Sequence, residues 1–357
     1  MHYGYYQLNT NEIKALRLDE PSVDEQQVTS KQVAREANVS QSTVSLVLSG
    51  KAEGRVSLKT RQLVEETARR MGYRPNLSAR SLRTGVSMTI ALAVPDVKQP
   101  FFGEVLYAAE KLAASKGYSV ILVDTSSEPL WAERIVQMIE SMTIAGCIVY
   151  ACDRASDKVL ARTGNKIIYI EAEDSDLCHI DLNASSGIEQ VLQHLTSLGH
   201  TKIGYFAAQY NKSLFRYRFK AFTDRVALHN LPTDERWYVG STFELDNSTE
   251  KAMRLIRSGV TAIFCDDDLL AGAVYRACRQ AGLRIPEDMS VVGFNDIEMA
   301  RMLYPELTTV AIPAAGIGTM ALEMFFANVL GNTGRANPEI LELELVVRDS
   351  TCSPANR

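Results

Sequence analysis

From residue 88 onward the chain alternates short apolar runs of β character with amphipathic helical stretches, and that alternation leaves few folds open to it. The runs read TIALAVPD, YSVILVDT, GCIVYA, KIIYIEA, KIGYFAA, TAIFCDD and SVVGFND. Between them lie stretches of helical period such as Phe102 to Lys116 and Ser213 to Asn230. Short apolar strands separated by helices predict parallel sheets covered on both faces. About 270 residues is more than one such unit holds, so two subdomains are expected.

The segment before this region has a different character. Residues 28–85 carry eleven Lys and Arg against four acids, a local charge of +7 in a chain whose net charge is −5. A field that attracts phosphate belongs to one surface and not to an average, so this segment points to DNA. Its pattern is that of three short helices. Thr29 followed by Gln32 reads as a capping box. Val33, Ala34 and Ala37 make one apolar face, and Asn38 stands where the chain must turn. Ser40 caps a second helix, in which Val44, Val47 and Leu48 form the buried side and Gln41, Ser42, Ser45 and Leu46 the other. Ser57 caps a third, whose Val64, Ala68 and Met71 repeat before Gly72 ends it. Two helices joined by a tight turn and braced by a third make a helix-turn-helix, an all-α unit that sets its second helix in the major groove.

The run VTSKQVAREANVSQSTVSLVL, followed by RVSLKTRQLV and MGYRPNLSARSLRTG, resembles the DNA-binding domain and hinge of the lactose-repressor (LacI/GalR) family of bacterial transcription regulators. The resemblance continues in order through PDVKQPFF, LGHTKIGYF, CDDDLLAGA, LRIPEDMSVVGFND and PELTTVAIP to ELVVRDST, and so covers the chain from about residue 28. It implies a periplasmic-binding-protein-like α/β core of two parallel-sheet subdomains. The chain would cross between them near residues 183, 311 and 344. Residues 1–27, acidic and low in aliphatics toward their end, read from composition as a disordered extension or as the product of an upstream start codon that the cell does not use. The organisation beyond them is a DNA-binding domain at 28–73, a hinge at 74–87, an effector-binding and dimerisation domain at 88–350 and a tail at 351–357.

By the same resemblance Gln41, Ser42 and Leu46 would read bases, while Thr29, Ser40, Thr43, Ser45 and Tyr73 would lie near phosphates. Gln can bond an adenine edge bidentately, and small hydroxyls donate to phosphate. Leu46 departs from the Arg that many members carry. It either makes an apolar contact, for instance with a thymine methyl, or packs on its own domain. Asn76 to Arg83 resembles the hinge helix that orders on DNA and drives a leucine, here Leu82, into the minor groove. The other reading of that stretch is a plain basic linker.

The ends of the core strands are polar: Asp96, Asp124, Asp266 with Asp267, and Asn295 with Asp296. Ligands of open α/β sheets sit beyond the C-terminal strand ends, and carboxylates and amides there suit a hydroxyl-rich molecule. The resemblance implies effector contacts from Phe101 and Phe102 as an aromatic wall, from Arg218, from Asp266 and from Asn295. Asp stands more often than Asn at position 295, and Gly more often than Ala at 221. Asp267, Asp268 and Asp296 read as strand-end caps and ion-pair partners. A sugar or sugar phosphate is the expected effector, with a nucleobase or nucleoside stacked on the Phe101 and Phe102 wall as the other reading.

No phosphate loop and no G-x-S-x-G elbow occurs, and the five histidines show no metal-ligand spacing. An enzyme is not expected, nor a cofactor. His200 reads as closing a helix, where a partly charged imidazole suits the negative dipole end. The six cysteines are scattered without a C-x-x-C pair and read as small core residues in a reducing cytoplasm. The rival reading, a transporter's solute-binding protein, needs an export signal. Residues 1–27 have no apolar core of the required length, and no later stretch is long enough to span a membrane. The seven residues after Ser350 are too few for a tetramerising coiled coil. The expected protein is a cytoplasmic homodimeric repressor of carbohydrate genes that binds double-stranded operator DNA and a small-molecule effector.

Overall fold

The computed structural model describes residues 28–48, 50, 52–73, 87–172, 179–209, 213–331 and 338–354. The extension at 1–27, the hinge residues Asn76 and Leu82, and Cys178 lie outside them. The chain divides between residues 80 and 81 into two compact units.

The first unit holds α1 (Ser30–Glu36), α2 (Gln41–Leu48) and α3 (Leu58–Arg70). Each begins on a hydroxyl side chain that satisfies a backbone donor left over at the helix end. The Thr29 N–H donates to Gln32 Oε1 at 2.7 Å and the Gln32 N–H to Thr29 Oγ1 at 3.3 Å, closing the capping box. The Thr43 and Thr60 amides donate to Ser40 and Ser57 at 3.1 and 3.2 Å. Asn38 takes the positive φ of 51° that turns α1 into α2. Val33, Val44 and Val64 bury completely among small alanines. A core of so few methyl groups leaves the caps a large share of the stability.

The second unit contains two six-stranded sheets. In chain order its elements are β1 (Thr89–Val94), α4 (Pro100–Ser115), β2 (Ser119–Asp124), α5 (Trp131–Glu140), β3 (Cys147–Tyr150), α6 (Arg154–Leu160), β4 (Ile167–Ile170) and β5 (Ile180–Asn183). There follow α7 (Ala184–Ser197), β6 (Ile203–Ala208), α8 (Ser213–Leu228), β7 (Tyr238–Ser241), α9 (Leu245–Arg257), β8 (Ala262–Cys265), α10 (Asp268–Ala281), β9 (Ser290–Asn295) and α11 (Met299–Met302). The last are β10 (Thr308–Ala311), α12 (Ala314–Phe325), β11 (Glu339–Glu342) and β12 (Glu344–Val346). One lobe has the strand order β11-β5-β4-β3-β1-β2, the other β12-β10-β9-β8-β6-β7. Every pair is parallel except β10 with β12. The chain passes from the first sheet to the second between β5 and β6, returns between β10 and β11, and crosses again at Leu343.

The inner strands are apolar on both faces, as parallel strands under helices on both sides must be. Ala91, Ala93, Ile167 and Tyr169 pack with Ile135 and Ile139 of α5, while Ile263, Cys265 and Val291 pack with Leu255 of α9 and Val274 of α10. Among the described cysteines, Cys147, Cys152, Cys265 and Cys278 are buried and Cys352 is half-buried. His200 closes α7 as expected, its N–H donating to the Leu195 carbonyl at 3.0 Å, but its ring departs from the sequence reading. Its ring is 1 % exposed and bonds Thr261 through Nδ1 at 2.8 Å, and Ser290 and the Cys352 carbonyl through Nε2 at 3.0 and 2.8 Å. Burial pushes its pKa down, so it is a neutral bridge to the C-terminal segment and not a charged helix end.

Candidate DNA-reading face and effector cleft

The helix α2 has the sequence QSTVSLVL and carries no charge. Gln41 and Ser42 are exposed, whereas Thr43, Ser45 and Leu46 are half-buried. Hydroxyls at its start bond one another: Ser40 Oγ lies 2.7 Å from Ser42 Oγ and 2.8 Å from Thr43 Oγ1. Thr29 Oγ1 donates to Gln32 Oε1 at 2.9 Å, so its proton already has an acceptor and a phosphate would have to displace it. Tyr73 packs, half-buried, against the small apolar core. Positive charge comes from flanking residues instead, with Lys31, Arg35, Arg55, Lys59 and Arg69 all exposed.

In the second unit the polar strand ends border a cleft. From the first lobe come Asp96, Gln99, Phe101, Phe102, Tyr150 and Ala151; from the second come Phe215, Arg218, Phe243, Asp267 and Asn295. Phe101, Phe102 and Tyr150 meet nearly at right angles with ring centroids 5.1–5.9 Å apart, which presents edges and faces together.

Arg218 is the electrostatic centre. Its side chain is 4 % exposed, and its guanidinium lies over the Phe294 ring at 4.2 Å. Nη1 donates to the Asp266 carbonyl at 3.3 Å and lies 3.7 Å from that residue's carboxylate. Nη2 reaches across to Glu171 of the first lobe at 4.0 Å, and Glu171 in turn accepts from the Tyr150 hydroxyl at 2.6 Å. Arg218 Nε and Asp266 Oδ1, both buried, make no hydrogen bond. Burial pushes the Asp266 carboxyl up to about 6 against the attraction of Arg218. Burial raises Glu171 as well, opposed by Arg218 and by the Tyr150 bond.

Asp266 thus lies behind Arg218 and is not among the residues that line the cleft. Asp267 does line it, while also capping α10 through the Leu269 N–H at 2.7 Å and accepting from Asn295 Nδ2 at 2.8 Å. Asp268 is fully buried, holding the Thr309 hydroxyl at 2.6 Å and the Ile297 N–H at 2.9 Å, and Asp296 pairs with Arg348 at 2.6 Å. The backbone is strained around the cleft: Ala151, Glu171, Asn295 and Asp296 all adopt positive φ, between 50° and 113°. Such clustering is a mark of functional sites. Sequence reasoning missed Glu171, Tyr150, Gln99, Phe215 and Phe243. Glu171 closes the run KIIYIEA and obeys the same strand-end rule that selects Asp96; Phe243 stands in a connection without periodicity and leaves no signal.

Residues 29–76 match the bacterial regulatory proteins of the lacI family, and residues 192–351 match a periplasmic binding protein-like domain. The transcriptional repressor PurR of Photobacterium profundum is 31 % identical over 336 residues, covering 90 % of this chain and 98 % of its own. The chain belongs to the lacI family. Among its other relatives, the repressor CytR of Escherichia coli is 30 % identical over 332 residues, covering 90 % of this chain and 96 % of that one. The fold is also that of a lac repressor dimer bound to operator and an anti-inducer. The TM-score is 0.79 at 24 % identity, over 91 % of this chain and 99 % of the other. This lacI-family member is a DNA-binding transcription regulator and not an enzyme. No helix among the described residues is long and apolar enough to cross a membrane.

Proposed function

We propose that the protein is a cytoplasmic, effector-responsive repressor, acting as a homodimer on a twofold-symmetric operator. In this reading α2 lies in the major groove, with Gln41, Ser42 and Leu46 toward bases and Ser40, Thr43, Ser45, Thr29 and Tyr73 toward the backbone. Residues 74–87 form the hinge, with Asn76 on the backbone and Leu82 in the minor groove. The lac repressor neighbour is described as a dimer on operator, which supports the oligomeric assignment.

The observation that carries the effector assignment is the cleft built around Arg218. Among the described lining residues Arg218 is the only cation, and Asp266 and Glu171 already face it. A phosphate would meet Asp96 and Asp267 without a spare positive charge, so an uncharged ligand is favoured over a sugar phosphate. Carboxylates and Asn295 suit hydroxyls, and a sugar is the primary reading. Solved neighbours are described with cellobiose and with ribose bound, in keeping with it. Aromatic rings on both walls, Phe101 and Phe102 opposite Phe215 and Phe243, favour a nucleoside as the second reading. Either ligand touches both lobes, so its affinity depends on their relative arrangement and is coupled reciprocally to operator affinity.

The test is selection of bound duplexes from a random pool by the full-length protein, followed by titration of the selected operator with neutral sugars and nucleosides. A palindromic motif and an affinity change of roughly five- to a hundredfold with one ligand class are expected. No motif with or without ligand would refute the repressor assignment; a motif insensitive to every member of both classes would refute the effector assignment.

A further inference from the structure

The polar groups at the start of α2 are tied to the start of α1 through a residue that the helix cap does not use. Gln41 donates through Nε2 to the Ser30 hydroxyl at 2.9 Å, across eleven positions of sequence. Ser30 opens α1 without capping it, since Thr29 and Gln32 complete the box between themselves. The Ser30 oxygen is thus available to hold a side chain of the neighbouring helix. We propose that Ser30 is a positioning residue for base reading, holding the Gln41 amide so that it reads an A·T pair in the major groove. The inference rests on the placement of Gln41 at the DNA face.

Hydrogen-bond capacity supports it. A glutamine amide has one carbonyl and two N–H groups, and Ser30 takes one of the latter. The carbonyl and the second N–H remain, which is the acceptor and donor pair that matches N6 and N7 of adenine. No other side chain of α2 offers such a pair, because the helix otherwise carries hydroxyls and aliphatic groups. The hydroxyls of Ser40, Ser42 and Thr43 bond one another and leave Gln41 to Ser30. An exposed glutamine would otherwise lose rotamer freedom on meeting a base; the tie to Ser30 removes much of that loss in advance.

The experiment compares the full-length protein with Ser30→Ala, Ser30→Thr, Gln41→Ala and the Ser30→Ala/Gln41→Ala double variant, by sequencing duplexes selected from a randomised pool. Gln41→Ala should erase the preference at one base pair of each half-site. Ser30→Ala should weaken the preference at that same pair by roughly two- to tenfold, the effect of one neutral hydrogen bond, and leave the other positions alone. Ser30→Thr should restore it, and Ser30→Ala should add nothing in the Gln41→Ala background. An unchanged motif for Ser30→Ala, a change at a different base pair, or an equal effect with Gln41 absent would overturn the proposal. A Gln41→Ala motif identical to that of the unaltered protein would instead remove the base-reading role of Gln41, and the proposal with it.

Discussion

Replacing Arg218 by methionine keeps most of the stem's apolar packing and deletes the charge, which leaves Asp266 and Glu171 facing each other without a counter-ion. The guanidinium lies 3.7 Å from one carboxylate and 4.0 Å from the other. At an effective dielectric constant of about 20 each pair is worth roughly 4 kcal/mol before desolvation is counted. Burying the arginine cancels several kcal/mol of that, and removing one partner of a buried pair costs about 3–5 kcal/mol. The loss should depend on pH. Asp266 is already raised to about 6 with the guanidinium present, and Glu171 is raised by burial too. Without Arg218 both rise further. An acid whose folded pKa exceeds its unfolded value gives stability that is complete below the unfolded pKa and is lost as pH rises through the folded one. The deficit of Arg218→Met should therefore be largest near pH 8 and shrink on acidification toward pH 5.

Urea unfolding followed by tryptophan fluorescence measures it, because buried Trp131 and Trp237 report on the first and second lobes. With a slope of about 3 kcal/mol per molar urea, the midpoint at pH 8 should fall by about 1 M or more. Adding Glu171→Gln, which still accepts from Tyr150, should recover part of the loss. An unchanged midpoint, or a deficit that grows as pH falls, would refute the account of Arg218 as counter-ion to two buried carboxylates.

Three further substitutions test other parts of the structure. In Gly293→Ala the new methyl would run into the Asp268 carboxylate and lie 2.8 Å from Leu307 Cδ2, so thermal unfolding should show a destabilisation of about 1–3 kcal/mol. Thr29→Ala removes the capping box and should cost the first unit about 1 kcal/mol, seen as faster amide exchange in α1 with exchange in the two-sheet unit unaltered. Leu46→Arg would place a guanine reader on the side of α2 proposed to face DNA, and duplex selection should show one position per half-site moving toward guanine, with about 1–3 kcal/mol of discrimination.

What could be read in advance divides along burial and sequence distance. Strands such as TIALAV and AIFC are legible because both faces are buried and the apolar run is continuous. IDLN of β5, YVGS of β7 and EILE of β11 carry polar or exposed residues and are strands because of their partners; Ile340 of β11 pairs with Asp181 of β5, far away in sequence. The helix starts at Thr29, Ser40 and Ser57 are local chemistry and visible as such. His200 is the opposite case. Its position after a helix suggests a dipole, yet its environment is set by Thr261, Ser290 and Cys352, and burial outweighs the dipole. Within the cleft, strand-end polarity identifies Asp96 and Asn295 from sequence. It cannot order Asp266 and Asp267, since which of two neighbours faces the ligand depends on where β8 ends and α10 begins.

The third crossing explains how a cleft contact can govern the arrangement of whole lobes. Strands β11 and β12 belong to different sheets, yet only Leu343 separates them, and that residue is 1 % exposed. Gln190 of α7 straddles the joint, donating to the Leu343 carbonyl at 2.7 Å and accepting from the Leu345 N–H at 3.0 Å. Asn183, which ends β5 and caps α7, donates to Glu342 at 2.9 Å, so two of the crossings are bonded together. Any rotation between the lobes would then concentrate at a few backbone positions and leave both sheets intact, as in hinge motion. A lever of that kind amplifies small differences in the cleft. Among the described residues the ion pair found there between lobes is Glu171 with Arg218, which is buried, so desolvation offsets much of its attraction and brings its net worth toward the roughly 1–3 kcal/mol by which effectors bias such equilibria. A ligand that displaced this contact would exchange one bridge between the lobes for another, and the free-energy difference between the two bridges would set how far it could bias their arrangement.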